Sequence, residues 1–180
     1  TGDVDRDGYV DFYVTNFSSE FNTLHRQRPS GGYWEDQTGP VGLIEPTLDL
    51  VGFGTRAIDL DNNGDLEIVV ANGHVDPSEQ YAQHFQVFQQ RPNGKYEWLQ
   101  PTSFSGYLSE RHVGRSLVSL DFNRDRVCDL AVTHQTEPIA LLCNATKTDY
   151  HSISLRLRGA TCDRDAVGAS VIVKADATIY

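Results

Sequence analysis

The chain has 180 residues and a formal charge of −10, enough for one ordinary domain or part of a larger one. That charge argues against nucleic-acid binding through phosphates, and no apolar run is long enough to insert in a membrane. It contains no methionine and shows no signal peptide, so it reads as a segment of a longer protein; three cysteines are too few for a disulfide scaffold.

The first element is the stretch Asp3-Val-Asp-Arg-Asp-Gly-Tyr-Val-Asp11. Side-chain oxygens fall at loop positions 1, 3, 5 and 9 (Asp3, Asp5, Asp7, Asp11), and the backbone carbonyl of Tyr9 is available at position 7. Gly8 at position 6 permits the sharp turn that wraps these oxygens around one ion. The chain leaves through a β-branched run over residues 10–16. Further runs follow at 23–27 and 33–37, joined by the turn Pro29-Ser-Gly-Gly32, and a connection containing Gly39-Pro40 and Pro46 leads to a run at 55–60.

The same order then repeats. The loop Asp59-Leu-Asp-Asn-Asn-Gly-Asp-Leu-Glu67 offers Asp59, Asp61, Asn63 and Glu67, the carbonyl of Asp65, and Gly64 at the turn. Runs follow at 66–72, 84–90 and 95–99, with Arg91-Pro-Asn-Gly94 as the turn, and 115–120 enters a third loop. Only 77–84 reads as a helical turn. The third loop, Asp121-Phe-Asn-Arg-Asp-Arg-Val-Cys-Asp129, offers Asp121, Asn123, Asp125, Asp129 and the Val127 carbonyl, but Arg126 stands where glycine is expected.

An all-oxygen cage of this kind suits Ca²⁺, which takes six to eight oxygen ligands. Up to three ions are expected, the third held most weakly, and at +2 each they would bring the charge to about −4. The acidity is therefore largely a property of the loops. An EF-hand is excluded, because its position 12 is a bidentate Glu that opens a helix. Here position 12 is Val14, Val70 or Val132, each within a strand-like run. Loop starts at 3, 59 and 121 lie 56 and 62 residues apart, a spacing typical of radial β repeats with four short strands per unit.

These units resemble FG-GAP/VCBS repeats. Asn22-Thr-Leu24, Gly32-Tyr-Trp34, Gly52-Phe-Gly54 and the loop-strand stretch 59–72 match that family's pattern, while His84-Phe-Gln-Val87 and Arg126 depart from it. The resemblance implies an all-β fold: a partial β-propeller of about three four-stranded blades over 1–147, the first without its leading strand. It would form part of a larger propeller, often seven-bladed, on a secreted, extracellular, cell-surface or periplasmic protein. Residues 148–180 are similar to the opening of the ASPIC/UnbV domain of the cartilage acidic protein family. Arg164, Asp165, Ala166, Gly168 and Ala169 fit its motif and Asp163 replaces the usual Asn. There, 151–158 and 169–174 read as strands, and Arg164-Asp165 as a corner held by an ion pair or hydrogen bonds.

Other chemistry is weaker. The six histidines show no zinc-type spacing, so no transition-metal site is expected. No G-x-S-x-G elbow supports a catalytic triad, and Glu45, Glu79 and Glu110 read as solvated rather than as a glycosidase pair. Tyr33, Trp34, Tyr96 and Trp98 are expected to pack blades rather than stack on sugars. Cys128 and Cys143 could pair across the 135–138 connection or remain free, with Cys162 left over in either case. Asn16 and Asn144 head glycosylation sequons. Two functions stay open. One is a non-enzymatic module binding an extracellular protein or glycan, with the remaining blades as intramolecular partners. The other is a propeller-type lyase or hydrolase, which a pocket of convergent carboxylates away from the loops would favour.

Overall fold

The structure is a computed structural model that describes every residue except Ser30, Gly31, Gln80, Cys162, Ser170, Asp176, Ala177 and Tyr180. Its regular secondary structure is almost entirely short antiparallel strands, joined by long loops and turns. β1 (Phe12–Val14), β2 (Thr23–Gln27) and β3 (Trp34–Asp36) form the first sheet, in that order. β4 (Gly52–Ile58) and β5 (Glu67–Asn72) open the second sheet. β6 (Gln83–His84) is a two-residue strand, after which β7 (Gln86–Gln90) and β8 (Tyr96–Trp98) complete the order β4-β5-β7-β8. β9 (Arg111–His112) pairs with β6 and so ties the second unit to the third. β10 (Gly114–Leu120), β11 (Asp129–His134) and β12 (Ala140–Leu142) form the third sheet. β13 (Lys174–Ala175) pairs with β14 (Thr178–Ile179).

The second sheet is the only one with the four strands expected of a unit among the described residues; the first and third have three. It lies between the other two. Along β5 the side chains alternate: Ile68 and Val70 enter one core with Tyr13, Leu24 and Phe88, while Val69 and Ala71 enter a second core with Leu117, Leu130 and Val132. A strand buried on both faces needs a continuous apolar run, which is why Ile68-Val-Val-Ala71 does not alternate with polar residues. Successive antiparallel sheets stacked face to face are a propeller-like arrangement.

The leading strands of the second and third units touch backbone to backbone. A Cβ on Gly54 of β4 would stand 2.4 Å from the Leu117 nitrogen of β10, so only glycine permits the approach. Both strands carry a register shift at the matching place, between Gly52 and Thr55 and between Gly114 and Leu117.

Some expectations are corrected and others are met. Over 77–84 the described residues form no helix: a single turn is closed by the Glu79 N–H to the Asp76 carbonyl (3.2 Å), and the segment ends in β6. Helical turns lie at Glu45–Thr47, Pro101–Ser103 and Gly106–Ser109, the first two with proline in the first turn, where its missing N–H has no cost. Residues 151–158 pair with no strand among the described residues, and Ile153, Leu155 and Leu157 are exposed. Alternation makes a strand only where a ladder and an apolar face receive it. In the expected strand at 169–174 only Lys174 is paired, and Ser170 lies outside the described residues, as do Ser30 and Gly31 of the first turn. Tyr96 is buried and Trp98 packs on the first core, but Tyr33 and Trp34 are exposed at the outer strand of their sheet. Glu45, Glu79 and Glu110 are solvated. Of the two readings of the Arg164-Asp165 corner, the hydrogen-bonded one is met: Gly159 N–H donates to the Arg164 carbonyl (3.0 Å) and Ala166 N–H to the Asp163 carbonyl (2.9 Å). Cys128 and Cys143 are both free; Cys162 lies outside the described residues.

Candidate metal centres

The three acidic loops are built on one scaffold of side-chain-to-backbone bonds. The position-1 carboxylate accepts from the far side of its own turn: Asp3 from the Asp7 and Gly8 N–H groups (3.1 and 2.9 Å), Asp59 from Gly64 (2.9 Å), Asp121 from Asp125 and Arg126 (3.1 and 3.2 Å). The position-5 oxygen accepts from position 7: Asp7 from Tyr9 (2.9 Å), Asn63 from Asp65 (2.6 Å), Asp125 from Val127 (2.8 Å). The position-9 carboxylate, the first residue of or just before the exit strand, accepts from position 2: Asp11 from Val4 (2.9 Å), Glu67 from Leu60 (2.9 Å), Asp129 from Phe122 (2.8 Å).

Backbone angles repeat as well. Position 4 is left-handed in each loop (Arg6 φ 59°, Asn62 φ 58°, Arg124 φ 62°), and so is position 6 (Gly8 φ 88°, Gly64 φ 90°, Arg126 φ 70°). Arg126 therefore takes up the glycine conformation at the cost of strain, and the third loop keeps its course.

The loops differ in how their carboxylates are compensated. In the first and third, the second oxygen of position 9 is used by the main chain: Asp11 accepts from Gln27 N–H (2.9 Å) and Asp129 from Asn144 N–H (2.7 Å). In the second, no main-chain donor among the described residues takes up the second oxygen of Glu67. Oε1 of Glu67 and Oδ1 of Asp59 are both buried without a hydrogen-bond partner. One ligand atom each from Asp59, Asp61 and Glu67 lies within 4.8 Å of the others, as do those of Asp3, Asp5 and Asp11. Among the described residues the third loop gathers no such carboxylate trio: Asn123 stands at position 3 and donates its amide to Asp125 (2.7 Å).

Burial pushes the Glu67 carboxyl up to about 7, with the charges of Asp61 and Asp59 adding to it. Burial also raises Asp59, Asp5 and Asp11 above the usual carboxylate range, although Arg26 acts against this at Asp5, 3.6 Å away. A donor set of clustered, partly desolvated carboxylates, two of whose oxygens lack any donor, fits a hard divalent cation.

Adjacent loops are also fastened to one another. Arg6 at position 4 of the first loop donates to the Gly64 carbonyl (3.0 Å) and pairs with Asp65 (2.7 Å) in the second. Asn62, at the same position of the second loop, donates to the Arg126 carbonyl of the third (3.4 Å). The Asn144 side-chain amide donates to the Leu60 and Cys128 carbonyls (2.7 and 3.2 Å), so the nitrogen a glycan would need is turned inward between two loops. Asn16 likewise donates to the Phe21 carbonyl (2.8 Å).

These partners were not readable from ligand spacing. Gln27 and Asn144 act on the position-9 carboxylates through backbone N–H groups, which no side-chain pattern marks, and Arg6 and Arg26 reach their carboxylates only once the sheets are stacked.

No curated protein matches the chain in sequence. The family described as FG-GAP-like repeat matches residues 3–70 and 59–132, each match running from the first acidic residue of one loop into the strand after the next. With both matched segments meeting at the second loop and together spanning most of the sequence, the chain belongs to the FG-GAP-like repeat family.

Proposed function

We propose that the chain is part of a calcium-braced β-propeller that serves as a non-enzymatic binding module for an extracellular protein or glycan. The carrying observation is the pair of orphaned buried oxygens in the second loop, Asp59 Oδ1 and Glu67 Oε1, beside Asp61. Two neighbouring carboxylates that repel each other, each with one buried oxygen lacking a donor, destabilise the fold by themselves, and a divalent cation bound there would reverse the sign of that interaction. Asp3, Asp5, Asp7 and Asp11 with the Tyr9 carbonyl would hold an ion in the first loop. Asp59, Asp61, Asn63 and Glu67 with the Asp65 carbonyl would do so in the second. Asp121, Asn123, Asp125 and Asp129 with the Val127 carbonyl form the weakest set, because no carboxylate trio is gathered there.

The role is structural: the second and third loops each join two paired strands of one sheet, and Arg6 and Asn62 fasten each loop to the next, so neutralising the loops would steady both the strand pairs and the contacts between sheets. The binding surface would lie on the exposed face of a ring completed by further blades, in a secreted, cell-surface or periplasmic protein, with residues 148–180 opening an ASPIC/UnbV-like module. The closed Gly159–Gly168 corner supports that last reading. A cavity of about 510 Å³ beside the second loop supports a binder over an enzyme: its carboxylates are Asp61 and Glu67, both of that loop, amid apolar residues of the facing sheets. No helix among the described residues is long and apolar enough to cross a membrane. Thermal melts with Ca²⁺ and with chelator test the proposal: the midpoint should rise with Ca²⁺, and coincident melts together with no calorimetric binding would refute it.

A further inference from the structure

At the far end of β11 from the third acidic loop, four polar side chains meet. His134 is the last residue of β11, and Glu137 lies in the turn that leads to β12. His112 is the second residue of β9 and is buried, and Tyr107 belongs to the turn Gly106–Ser109. The six-residue strand separates this cluster from Asp129 by on the order of 17 Å. It is therefore a different place with a different donor chemistry.

The hydrogen bonds assign the two imidazoles. His112 Nε2 lies 3.2 Å from the Tyr107 carbonyl, which can only accept, so this nitrogen carries a proton. Its Nδ1 faces Glu137 Oε2 at 2.7 Å. His134 Nδ1 lies 2.8 Å from the Pro138 carbonyl and so carries a proton too, which leaves the Nε2 lone pair to accept from the Tyr107 hydroxyl at 2.7 Å. Each ring thus has one nitrogen anchored to a main-chain carbonyl and the other turned into the cluster. The Tyr107 ring lies flat against His112, 3.9 Å between centroids and 7° between planes, which fixes the imidazole plane. One potential ligand atom from each of His112, His134 and Glu137 lies within 4.8 Å of the other two.

We propose that His112, His134 and Glu137 form a site for a first-row divalent transition ion of the Zn²⁺ type. Two imidazoles and one carboxylate with a further position open is a set that such ions accept, and Ca²⁺, which prefers oxygen, does not compete well for it. Imidazole ligands ordinarily donate their second N–H to a carbonyl or carboxylate, which orients the ring; here both anchors exist before any ion arrives. The ion would replace the proton shared between His112 and Glu137, and the Tyr107 hydroxyl would turn its hydrogen away from His134. Because Glu137 and His134 are not buried, an ion reaches the cluster without unfolding. The proposal does not depend on the acidic loops holding calcium.

The test uses the whole chain with excess Ca²⁺ present, so that the acidic loops do not compete, and titrates it with Co²⁺ as the spectroscopic probe. The expected result is one equivalent of Co²⁺ with the visible bands of a four- or five-coordinate complex, bleached by adding Zn²⁺. His134→Gln should abolish the bands. Glu137→Gln, at an exposed position that does not threaten folding, should weaken binding by about tenfold or more. Tyr107→Phe should retain the bands, which separates a metal site from a cluster that exists only for its hydrogen bonds. The proposal is overturned if the wild-type chain shows no such bands at millimolar Co²⁺, or if they persist unchanged in both the His134 and Glu137 variants.

Discussion

Replacing Glu67 by Gln should stabilise the ion-free protein at alkaline pH and destabilise the calcium-loaded one. Glu67 is 3% exposed, and its carboxyl is pushed by burial, and then by Asp61 and Asp59, from 4.5 up to about 7. Unfolded, the group titrates near its ordinary value. Below that value both states hold the proton and there is no penalty. As the pH rises to about 7 the unfolded chain ionises while the folded one resists, so folded stability falls through this window and is flat above it. The full displacement corresponds to roughly 3 kcal/mol, an upper figure because the three carboxylates share it. Glutamine keeps the acceptor for the Leu60 N–H and places a donor beside the orphaned Asp59 oxygen. Denaturation in chelator at pH 8.5 should therefore show E67Q more stable than wild type by about 2–3 kcal/mol, or on the order of 5–10 °C in midpoint. At pH 5 that gain should shrink below about 1 kcal/mol. With saturating Ca²⁺ the order should reverse, because a charged ligand is gone. A loss of stability in chelator at pH 8.5 equal to that at pH 5 would refute the reasoning, since it would mean that Glu67 is ionised without penalty in the folded chain.

Two further outcomes follow from backbone geometry. Arg126→Gly relieves a left-handed residue at φ 70° and should raise stability in chelator by about 1 kcal/mol in chemical denaturation; no gain would show that the loop is unstrained there. Gly54→Ala places a methyl 2.4 Å from the Leu117 nitrogen and 2.8 Å from the Ser116 carbonyl carbon, atoms that cannot move aside, and should cost about 1–3 kcal/mol. Trimming the Leu117 side chain should not rescue it, and a wild-type melt for Gly54→Ala would show that β4 and β10 separate more easily than their contact implies.

Much of the molecule was legible in the primary structure because its signals are local. The three loops announce themselves by oxygen-bearing residues at fixed offsets, and the offsets dictate the same turn bonds in all three, even with Arg126 in the glycine place. Strands after each loop were visible because β-branched runs have few other uses. The segment 151–158 misled for the complementary reason. Its alternation states a preference for a half-buried ladder, and a preference yields a strand only where a partner offers unpaired backbone groups. Tyr33 and Trp34 carry the same lesson, since their aromatic character says they would stabilise a face if one covered them.

Sequence by itself determined the repeat, the loop chemistry and the strand order within a unit, because each depends on residues a few positions apart. Only the tertiary structure decided which carboxylate oxygen is left without a donor. That depends on whether the backbone N–H of Gln27 or Asn144, or nothing, arrives beside position 9 when the sheets stack. It also decided that His112, His134 and Glu137 meet, since two strands and a turn must pack before these side chains become neighbours. Offsets along a chain prescribe hydrogen bonds within a turn, whereas the burial and pairing of a charge depend on distant segments that close around it.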